Sequence, residues 1–334
     1  MDKVRLGLIG CGGMSKSHLR RFHTLSSRMH LAAAADVVEE RAAAVADEFD
    51  DVRVATDFHD ILDDVDAVLL VLPHHLHDTI GVECLNAGVH VLLEKPMAIT
   101  EAGCVQLIDA AAAGDRTLMI AYCMRYHPLV ARMKELLDEE TYGSVFQVSI
   151  WTEQLTRFTE DNWHLDAAKL GGGQFFSHGC HYVDILLWYL GRPLRGTHLG
   201  TNFGTPWMEK EGTSNVAIEF EQGRLGYHFG TWGARGSRLR YSFHAHCTEG
   251  MLEADISGGR LIAHQGGEEK LLLEAESGKH TENEMAHFLD CIETGQQPLT
   301  DGAGSLQGLR VIWRLYEAEE RGLFADLSGL GLGQ

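Results

Sequence analysis

Three short stretches of this 334-residue sequence could do chemistry. Residues 10–15 read Gly-Cys-Gly-Gly-Met-Ser and fit the pattern G-x-G-x-x-small, in which glycines let the backbone approach a phosphate group. A second stretch is Glu94-Lys95-Pro96, and a third, residues 177–184, holds a serine, two histidines and an aspartate. Lysine and histidine side chains can stabilise or transfer a proton. These residue types predict a nucleotide site and a site of acid–base chemistry.

The glycine run lies where a dinucleotide site requires it. Residues 4–9 before it are apolar and strand-like, and a helical pattern follows it. Gly10 permits a tight turn, Gly12 permits the close approach of a pyrophosphate, and the start of the helix offers N–H groups to the anion. Asp36 ends the next apolar stretch, where an acid can hold ribose hydroxyls. The alternative is an ordinary strand–helix turn followed by a capping aspartate.

The first third of the chain alternates strand-like and helical segments. The strand-like segments are residues 4–9, 31–35, 67–72, 90–93 and 118–121. The helical ones are residues 16–26, 38–49, 80–87 and 100–113. This alternation indicates a parallel sheet covered on both faces. We therefore predict an α/β fold, with a doubly wound Rossmann sheet that binds NAD in residues 1–121.

The pattern changes after about residue 122, where strands follow one another without helices between them. These strand-like segments are residues 145–152, 216–221, 225–232, 241–246 and 250–255. Helical patterns lie at residues 181–190 and 303–321. Residues 122–334 are therefore predicted to form an α/β C-terminal domain with a large, open and mostly antiparallel sheet. We expect this domain to bind substrate and to mediate oligomer contacts, since an exposed sheet face usually finds a partner.

Composition excludes several classes of function. A formal net charge of −20 argues against nucleic acid, because a phosphate polyanion would be repelled. No apolar segment is long enough for a membrane span, so we expect a cytoplasmic protein that binds no membrane. The seven cysteines are scattered without a CxxC pair, which favours reduced thiols. We expect no metal site, because no histidine or carboxylate set has zinc spacing.

An ordered set of motifs resembles the glucose–fructose oxidoreductase/inositol dehydrogenase (Gfo/Idh/MocA) family. The set comprises VLPHHLH at residues 71–77, EKP at 94–96, MRYHP at 124–128, GGG at 171–173 ahead of HYVD at 181–184, and the stretch 288–302. The similarity runs in order from about residue 4 to residue 322, so it covers nearly the whole chain. The ordered set is far more specific than any one of its members.

The resemblance implies a nicotinamide bound at the carboxyl ends of the parallel strands, facing a sugar or inositol. It also implies a homodimer or homotetramer and a cis Lys95–Pro96 bond. The candidate cofactor-binding residues are Gly10, Gly12, Gly13, Met14, Asp36, Pro73, His74, Glu94 and Lys95. The candidate substrate-binding residues are Lys95, Arg125, Trp163, His164, Ser177, His178 and His181. Trp163 and His164 could either stack on a sugar ring or pack in the core.

Lys95 and His181 are the candidate catalytic residues. Oxidising an alcohol by hydride transfer requires removal of the hydroxyl proton, and a nearby cation stabilises the oxygen. The family's matching histidine works with the lysine, and an aspartate commonly stands four residues before it, where this chain has Ser177. If residues 174–190 are α-helical, Ser177 and His181 share a face and His178 lies about 60° from His181. Serine cannot be the base and can only hydrogen-bond substrate or His181, which shifts proton transfer onto His181 and Lys95, with His178 nearby as a further candidate.

Two other functions remain open. Ser177-His178-Gly179 is similar to the Thr-His-Gly run of the family's NAD-dependent glycosidase branch, which oxidises a sugar transiently, eliminates the glycoside and returns the hydride. A catalytically silent NAD-binding regulator is the second, against which the presence of Lys95 and His181 argues. Net NADH production, aglycone release without NADH, or neither would separate the three functions.

The position of Asp36 yields a prediction on cofactor preference. A carboxylate there repels a 2′-phosphate, and Val37 and Val38 supply no cation to offset it, while Arg41 lies within the next helix. We expect NAD to bind at least ten-fold tighter than NADP, a gap of about 1.4 kcal/mol. Titration of intrinsic tryptophan fluorescence with each nucleotide measures it. Equal affinities, or a preference for NADP, would remove Asp36 from the ribose site.

Overall fold

The computed structural model describes residues 3–332, which form two units. The first unit holds residues 3–123 and 280–306, and the second holds residues 124–279 and 307–332. The predicted division between residues 121 and 122 differs in two ways. The first crossing lies between residues 123 and 124, and residues 280–306 return to the first unit.

The described part of the first unit contains a six-stranded parallel sheet in the order β3-β2-β1-β4-β5-β6, as predicted for a Rossmann domain. Its strands are β1 (Val4–Ile9), β2 (Met29–Ala35), β3 (Arg53–Ala55), β4 (Ala67–Leu70), β5 (His90–Leu93) and β6 (Leu118–Ile120). Strand β4 is buried along its whole length, which explains its unbroken apolar run. The short strand β3 was not predicted.

Helices connect these strands. They are α1 (Ser15–Leu19), α2 (Glu39–Ala46), α3 (His77–Asn86) and α4 (Glu101–Gly114). The predicted helix over residues 16–26 is wrong beyond Leu19, where a 3₁₀ turn follows at Phe22–Leu25. The Thr24 hydroxyl donates to the Arg21 carbonyl at 2.7 Å, a local bond that competes with helix formation.

The second unit contains a nine-stranded sheet in the order β14-β13-β12-β11-β7-β10-β9-β8-β15. Its strands are β7 (Val145–Glu153), β8 (Pro193–Thr201), β9 (Thr213–Phe220), β10 (Leu225–Thr231), β11 (Tyr241–Cys247), β12 (Met251–Asp255), β13 (Arg260–Gln265), β14 (Glu268–Glu274) and β15 (Ala325–Asp326). All described neighbours are antiparallel except β7 and β10, which confirms the predicted mostly antiparallel sheet. Burial alternates along β9 and β10, so one face of the sheet is covered.

The covered face packs on helix α7. The remaining helices are α5 (Pro128–Asp138), α6 (Ala167–Leu170), α7 (Cys180–Leu190), α8 (Thr281–Thr294) and α9 (Gly302–Glu320). Helix α7 contacts β7 and β10 and is buried at nearly every position. Within residues 3–332, no helix combines the length and the apolar character that crossing a membrane requires.

The return of residues 280–306 to the first unit rests on contacts between distant parts of the chain. Helix α8 packs on α1 and on the 3₁₀ turn after it. Arg28 binds the carboxylates of Asp290 at 2.7 Å and Glu293 at 2.9 Å. The Ile120 N–H donates to the Thr300 carbonyl at 2.8 Å, next to the last strand of the sheet. Hydrophobic periodicity reports local structure, so it could not reveal this return.

A buried ion pair connects residue 125 to α7 in the second unit. The Arg125 guanidinium donates two hydrogen bonds of 2.6 Å to the carboxylate of Asp184 on α7. The two side chains are only 5% and 3% exposed, and Trp188 lies 5.1 Å from the guanidinium. Removing one partner of such a pair leaves an uncompensated charge in the interior.

We therefore expect Arg125→Met to lower the free energy of unfolding by about 3–5 kcal/mol. The matched control is Arg132→Met, because Arg132 pairs with Glu135 at the surface and an exposed pair contributes about 0–1 kcal/mol. Urea unfolding of the two variants measures the difference. Equal losses would show that burial of the Arg125–Asp184 pair adds nothing.

Candidate functional site

The predicted cofactor residues of the first unit lie at the carboxyl ends of adjacent parallel strands. Gly10 follows β1, Asp36 follows β2, Pro73 lies three residues after β4, and Glu94 follows β5. In the strand order, β1 lies between β2 and β4, so the switch in chain direction falls between β1 and β4. Ligands of doubly wound sheets bind in the crevice outside this switch point.

The glycine loop after β1 combines one required turn with an open backbone surface. Gly10 has a φ of +91°, and a Cβ there would lie 2.1 Å from the Val71 carbonyl oxygen. Apart from the residues adjacent in the chain, no described residue lies within 4 Å of the position that a Cβ would take at Gly12 or Gly13. The Ser15 hydroxyl donates to the Gly12 carbonyl at 2.6 Å and closes the turn. The loop thus leaves room for a bound group against its backbone at residues 12 and 13.

Asp36 is fixed beside this loop. Its carboxylate accepts hydrogen bonds from the backbone N–H of Cys11 at 2.8 Å and of Val38 at 2.9 Å. Arg41, which the sequence placed only within the next helix, has its Nη1 3.8 Å from an Asp36 oxygen and is itself 58% exposed. Burial, followed by the Asp36 charge, raises the pKa of the Cys11 thiol to about 12, so this thiol stays protonated at neutral pH.

These features fit a dinucleotide. The open backbone at Gly12 and Gly13 offers N–H groups and space to a pyrophosphate, and the fixed Asp36 carboxylate offers an acceptor to ribose hydroxyls. Met14 precedes the first turn of α1, which is only five residues long. The loop backbone, more than this short helix, is therefore the part that could hold an anion.

The segment around Lys95 is almost entirely buried. Of residues 91–98, all of them described, only Lys95 is not buried. The Lys95–Pro96 peptide bond is cis, which confirms that prediction. One carboxylate oxygen of Glu94 lies 2.7 Å from Nε2 of His18, and the other accepts the Lys95 N–H at 3.1 Å. Glu94, which we predicted to bind the cofactor, is thus held largely by the protein itself.

Pro73 and His74 lie in the loop after β4. Pro73 precedes a 3₁₀ turn at His74–Leu76. The His74 side chain is buried and its ring centroid lies 5.6 Å from that of His77. His77 in turn contacts two backbone carbonyls with its ring nitrogens, which no sequence pattern indicated.

In the second unit, Ser177 and His181 lie on either side of a change in helix type. Phe175–Gly179 forms a π-helical turn, and α7 begins at Cys180. The predicted helix over residues 181–190 is confirmed, but the condition of a uniform α-helix from residue 174 does not hold, so the spacing of 100° per residue fails in the π-turn. Both side chains are buried. Single π-turns are rare and occur frequently at functional sites.

His181 and Asp184 remain three residues apart on α7 and so share a face. Asp184 is occupied by Arg125, which we predicted to bind substrate. In this pair Arg125 is buried and anchors the helix that carries His181, and a substrate contact at Arg125 stays a prediction. The anchoring role was not predicted, because Arg125 and Asp184 are distant in sequence.

His178 lies in a network of polar side chains. The Ser214 hydroxyl donates to Gln174 Oε1 at 2.9 Å, so the Gln174 amide nitrogen faces His178 Nδ1 at 3.4 Å as the donor. Nε2 of His178 lies 3.3 Å from the Tyr182 hydroxyl and 3.4 Å from that of Tyr241. The consistent arrangement is a neutral imidazole with its proton on Nε2. Contacts on both nitrogens hold this ring in place.

Trp163 and His164 belong to an aromatic cluster. The His164 ring stacks on Phe158 at 4.3 Å and on Trp163 at 3.7 Å. Phe158 and Trp163 pack against a buried group that includes Trp232. The packing alternative therefore describes their present contacts, and a sugar contact at these two residues stays a prediction.

Close packing explains the glycines at residues 171–173 of the second unit. A Cβ at Gly173 would lie 2.3 Å from the Glu211 side chain, and the Gly173 N–H donates to the Tyr316 hydroxyl at 3.3 Å. Burial raises the pKa of Glu211, whose carboxylate accepts from Tyr316 at 2.6 Å. The sequence could show the glycines but not these partners.

Comparison with known proteins agrees with this geometry. A family model described as "Oxidoreductase family, NAD-binding Rossmann fold" matches residues 4–122, and the model of the GFO/IDH/MocA C-terminal domain matches residues 130–253. Inositol 2-dehydrogenase 2 of Saccharopolyspora erythraea is 30% identical over 227 residues, which are 66% of this chain and 65% of that protein. The chain thus spans just under two thirds of that relative, and 44% of the inositol 2-dehydrogenase of Salmonella typhimurium.

Other relatives match along almost their full length. D-xylose 1-dehydrogenase (NADP(+)) 2 of Haloferax volcanii is 27% identical over 336 residues, 97% of this chain and all of that protein. A levoglucosan dehydrogenase solved with NADH has a TM-score of 0.88 at 20% identity, covering 98% of this chain and 99% of its own. An aldose–aldose oxidoreductase from Caulobacter crescentus has a TM-score of 0.87 at 24% identity, covering 98% and 100%. At these identities the solved structures establish the fold alone.

The open surface at Gly12 predicts how two glycine variants will differ. Gly12→Ala should leave the free energy of unfolding within about 0.5 kcal/mol of the wild type. It should weaken NAD binding at least ten-fold, about 1.4 kcal/mol, because the new methyl group takes the space of the pyrophosphate. Gly10→Ala should destabilise the protein by more than about 1 kcal/mol, since its φ and the Val71 carbonyl both oppose a side chain.

Thermal unfolding and fluorescence titration with NAD measure both effects. Gly308→Ala, in α9 and equally free of described neighbours, is the control and should bind NAD as the wild type does. Unchanged NAD affinity in Gly12→Ala would contradict a pyrophosphate at this loop.

Proposed function

Because the chain belongs to the Gfo/Idh/MocA family of oxidoreductases, we propose that it is an NAD-dependent dehydrogenase that acts on a secondary hydroxyl of a sugar, sugar derivative or inositol. The observation that carries the proposal is the set of groups at the carboxyl ends of the strands of the first sheet. A glycine loop with open backbone, a fixed acid at Asp36 and the half-buried Lys95 all follow parallel strands there. The names of the relatives, inositol, xylose and levoglucosan dehydrogenases, support this substrate class.

NAD, when bound, supplies the hydride acceptor. The chain's own residues must remove the hydroxyl proton and hold the oxygen in place. In this proposal His181 accepts the proton, and the Lys95 ammonium stabilises negative charge on the oxygen or shares the proton. Ser177 cannot hold charge at neutral pH. Its hydroxyl forms a hydrogen bond with the substrate or with His181.

The Arg125–Asp184 pair supports the role given to His181. Arg125 lies outside α7 and holds this helix by binding Asp184. The Asp184 carboxylate, about one turn from His181, is thereby paired with a guanidinium. A buried imidazole on a helix fixed in this way keeps one orientation, which general base catalysis requires.

The glycosidase-like alternative would give His178 a direct part in the reaction. The partners of His178 on both ring nitrogens argue for a structural role instead. Lys95 and His181, both present, argue against a silent regulator. We therefore keep the dehydrogenase as the proposed function.

The proposal includes a homodimer or homotetramer that works in the cytoplasm. Phe146, Leu225 and Phe324 are exposed large hydrophobic residues of the second unit, at 48%, 49% and 71%. A groove of about 600 Å³ beside Trp151 and Tyr227 lies on the same sheet. Such a surface is typical of a protein interface. All seven cysteines are buried thiols, which suits a reducing compartment.

A substrate screen tests the proposed function directly. Sugars, inositols and glycosides are each incubated with the protein and NAD, and NADH absorbance and aglycone release are followed together. NADH production on a free sugar or inositol supports the dehydrogenase. Aglycone release without net NADH would establish the glycosidase-like function, and the absence of both would favour a regulator.

Four alanine variants test the catalytic roles. Lys95→Ala and His181→Ala should each lower kcat by roughly 10²–10⁴, the range for loss of an acid–base group. Ser177→Ala should mainly raise KM, because its hydrogen bond is made equally in the ground and transition states. His178→Ala is the control and should have a small effect. Near-normal turnover in His181→Ala would refute the mechanism, and a collapse in His178→Ala would move the base there.

A further inference from the structure

Two buried imidazoles, His18 and His77, contact the residues on either side of Lys95, and the proposed reaction uses neither. We propose that they are positioning residues, which hold the backbone of Lys95 from both sides and connect it to the loops after β1 and β4. The inference deepens the proposed function and rests on the role given there to Lys95.

His18 connects Lys95 to the helix after the glycine loop. It lies on α1, is 1% exposed, and places Nε2 2.7 Å from Oε1 of Glu94. An ionised carboxylate only accepts hydrogen bonds, so Nε2 carries the proton. Nδ1 of His18 is buried and has no hydrogen-bond partner among residues 3–332. The bond to Glu94 is therefore what orients this ring.

Glu94 passes the constraint on to Lys95. Its second oxygen accepts the Lys95 N–H at 3.1 Å, and its side chain is only 9% exposed. The carboxylate thus bridges an imidazole on α1 and the backbone of the residue proposed to stabilise the substrate oxygen. Charge-assisted hydrogen bonds of this kind are about twice as strong as neutral ones.

His77 acts from the other side of Lys95. Its ring is fully buried, with Nδ1 2.8 Å from the Pro96 carbonyl and Nε2 2.9 Å from the Leu72 carbonyl. Burial lowers the pKa of His77, so the ring is neutral at pH 7 and donates one N–H. Only one of the two contacts is therefore a hydrogen bond, and the buried ring packs between the loop after β4 and the loop of Lys95.

A double-mutant cycle tests whether His18 acts through Lys95. Alone, His18→Leu should lower kcat about ten-fold or more while KM for the sugar changes less than three-fold. In the Lys95→Ala background the same substitution should have no further effect on kcat, because the group that it positions is gone. Full additivity of the two losses would overturn the proposal. His77→Leu should likewise lower kcat alone and have no further effect on kcat in the Lys95→Ala background.

The matched control is His198→Leu. His198 is equally buried and forms a 2.6 Å contact with Glu319, but it belongs to the second unit. His198→Leu should lower the free energy of unfolding and leave the rate of reductive methylation of Lys95 unchanged. His18→Gln, which keeps an N–H near the position of Nε2, should recover most of kcat. Failure of this conservative variant to recover kcat would count against a role in positioning.

A measurement independent of turnover separates this inference from the proposed function. Reductive methylation of Lys95 in the free protein, followed by mass spectrometry, should be at least three-fold faster in His18→Leu than in the wild type. If Lys95→Ala retains kcat, the proposed catalytic role of Lys95 is refuted. The methylation rate then tests by itself whether His18 positions Lys95. Where His18→Leu does not fold, Glu94→Gln takes its place. An unchanged labelling rate in the folded variant would overturn the positioning role.

Discussion

The close packing of Gly10 against the backbone of Val71 is the constraint on which the nucleotide edge depends. Ile9 and Leu70 are the last paired residues of β1 and β4. After these residues the two strands lead in opposite directions across the sheet. The connection from β1 runs toward β2, and the connection from β4 runs toward β5. Gly10 makes this possible with a positive φ, its N–H donating to the Ala35 carbonyl at 2.9 Å. Any side chain there would overlap the Val71 carbonyl oxygen, so the crevice of the switch point could not form.

Sequence patterns predicted the structure where the cause is local. The apolar run of β4 and the position of Gly10 each follow from one strand or one turn, and both were found where expected. The return of residues 280–306, the bond between His18 and Glu94 and the anchoring of Asp184 by Arg125 depend on residues far apart in the chain. Periodicity carries no information on such pairs, so the sequence supplied the candidate residues without their partners.

The second unit shows why a histidine in the right motif is not enough to assign a base. His178 and His181 are three residues apart and their ring centroids lie 6.1 Å apart, but His178 belongs to the π-turn that ends at Gly179 and His181 to α7. Hydrogen-bond partners on both nitrogens account for the proton of His178, whereas His181 lies one helical turn from the anchored Asp184. A helical wheel drawn from the sequence could not distinguish them, because it assumes a uniform α-helix.

The polar side chains buried around Lys95 serve orientation more than stability. An imidazole taken out of water loses hydration that its hydrogen bonds only partly restore, so an apolar residue of similar size could stabilise the unit as well. Yet His18 and His77 are 1% and 0% exposed. A hydrogen bond differs from an apolar contact in its direction, since it restricts both distance and angle. These two residues therefore restrict the backbone on both sides of Lys95, and a reacting group needs this restriction because a displacement of about 1 Å can cost about 10²-fold in rate.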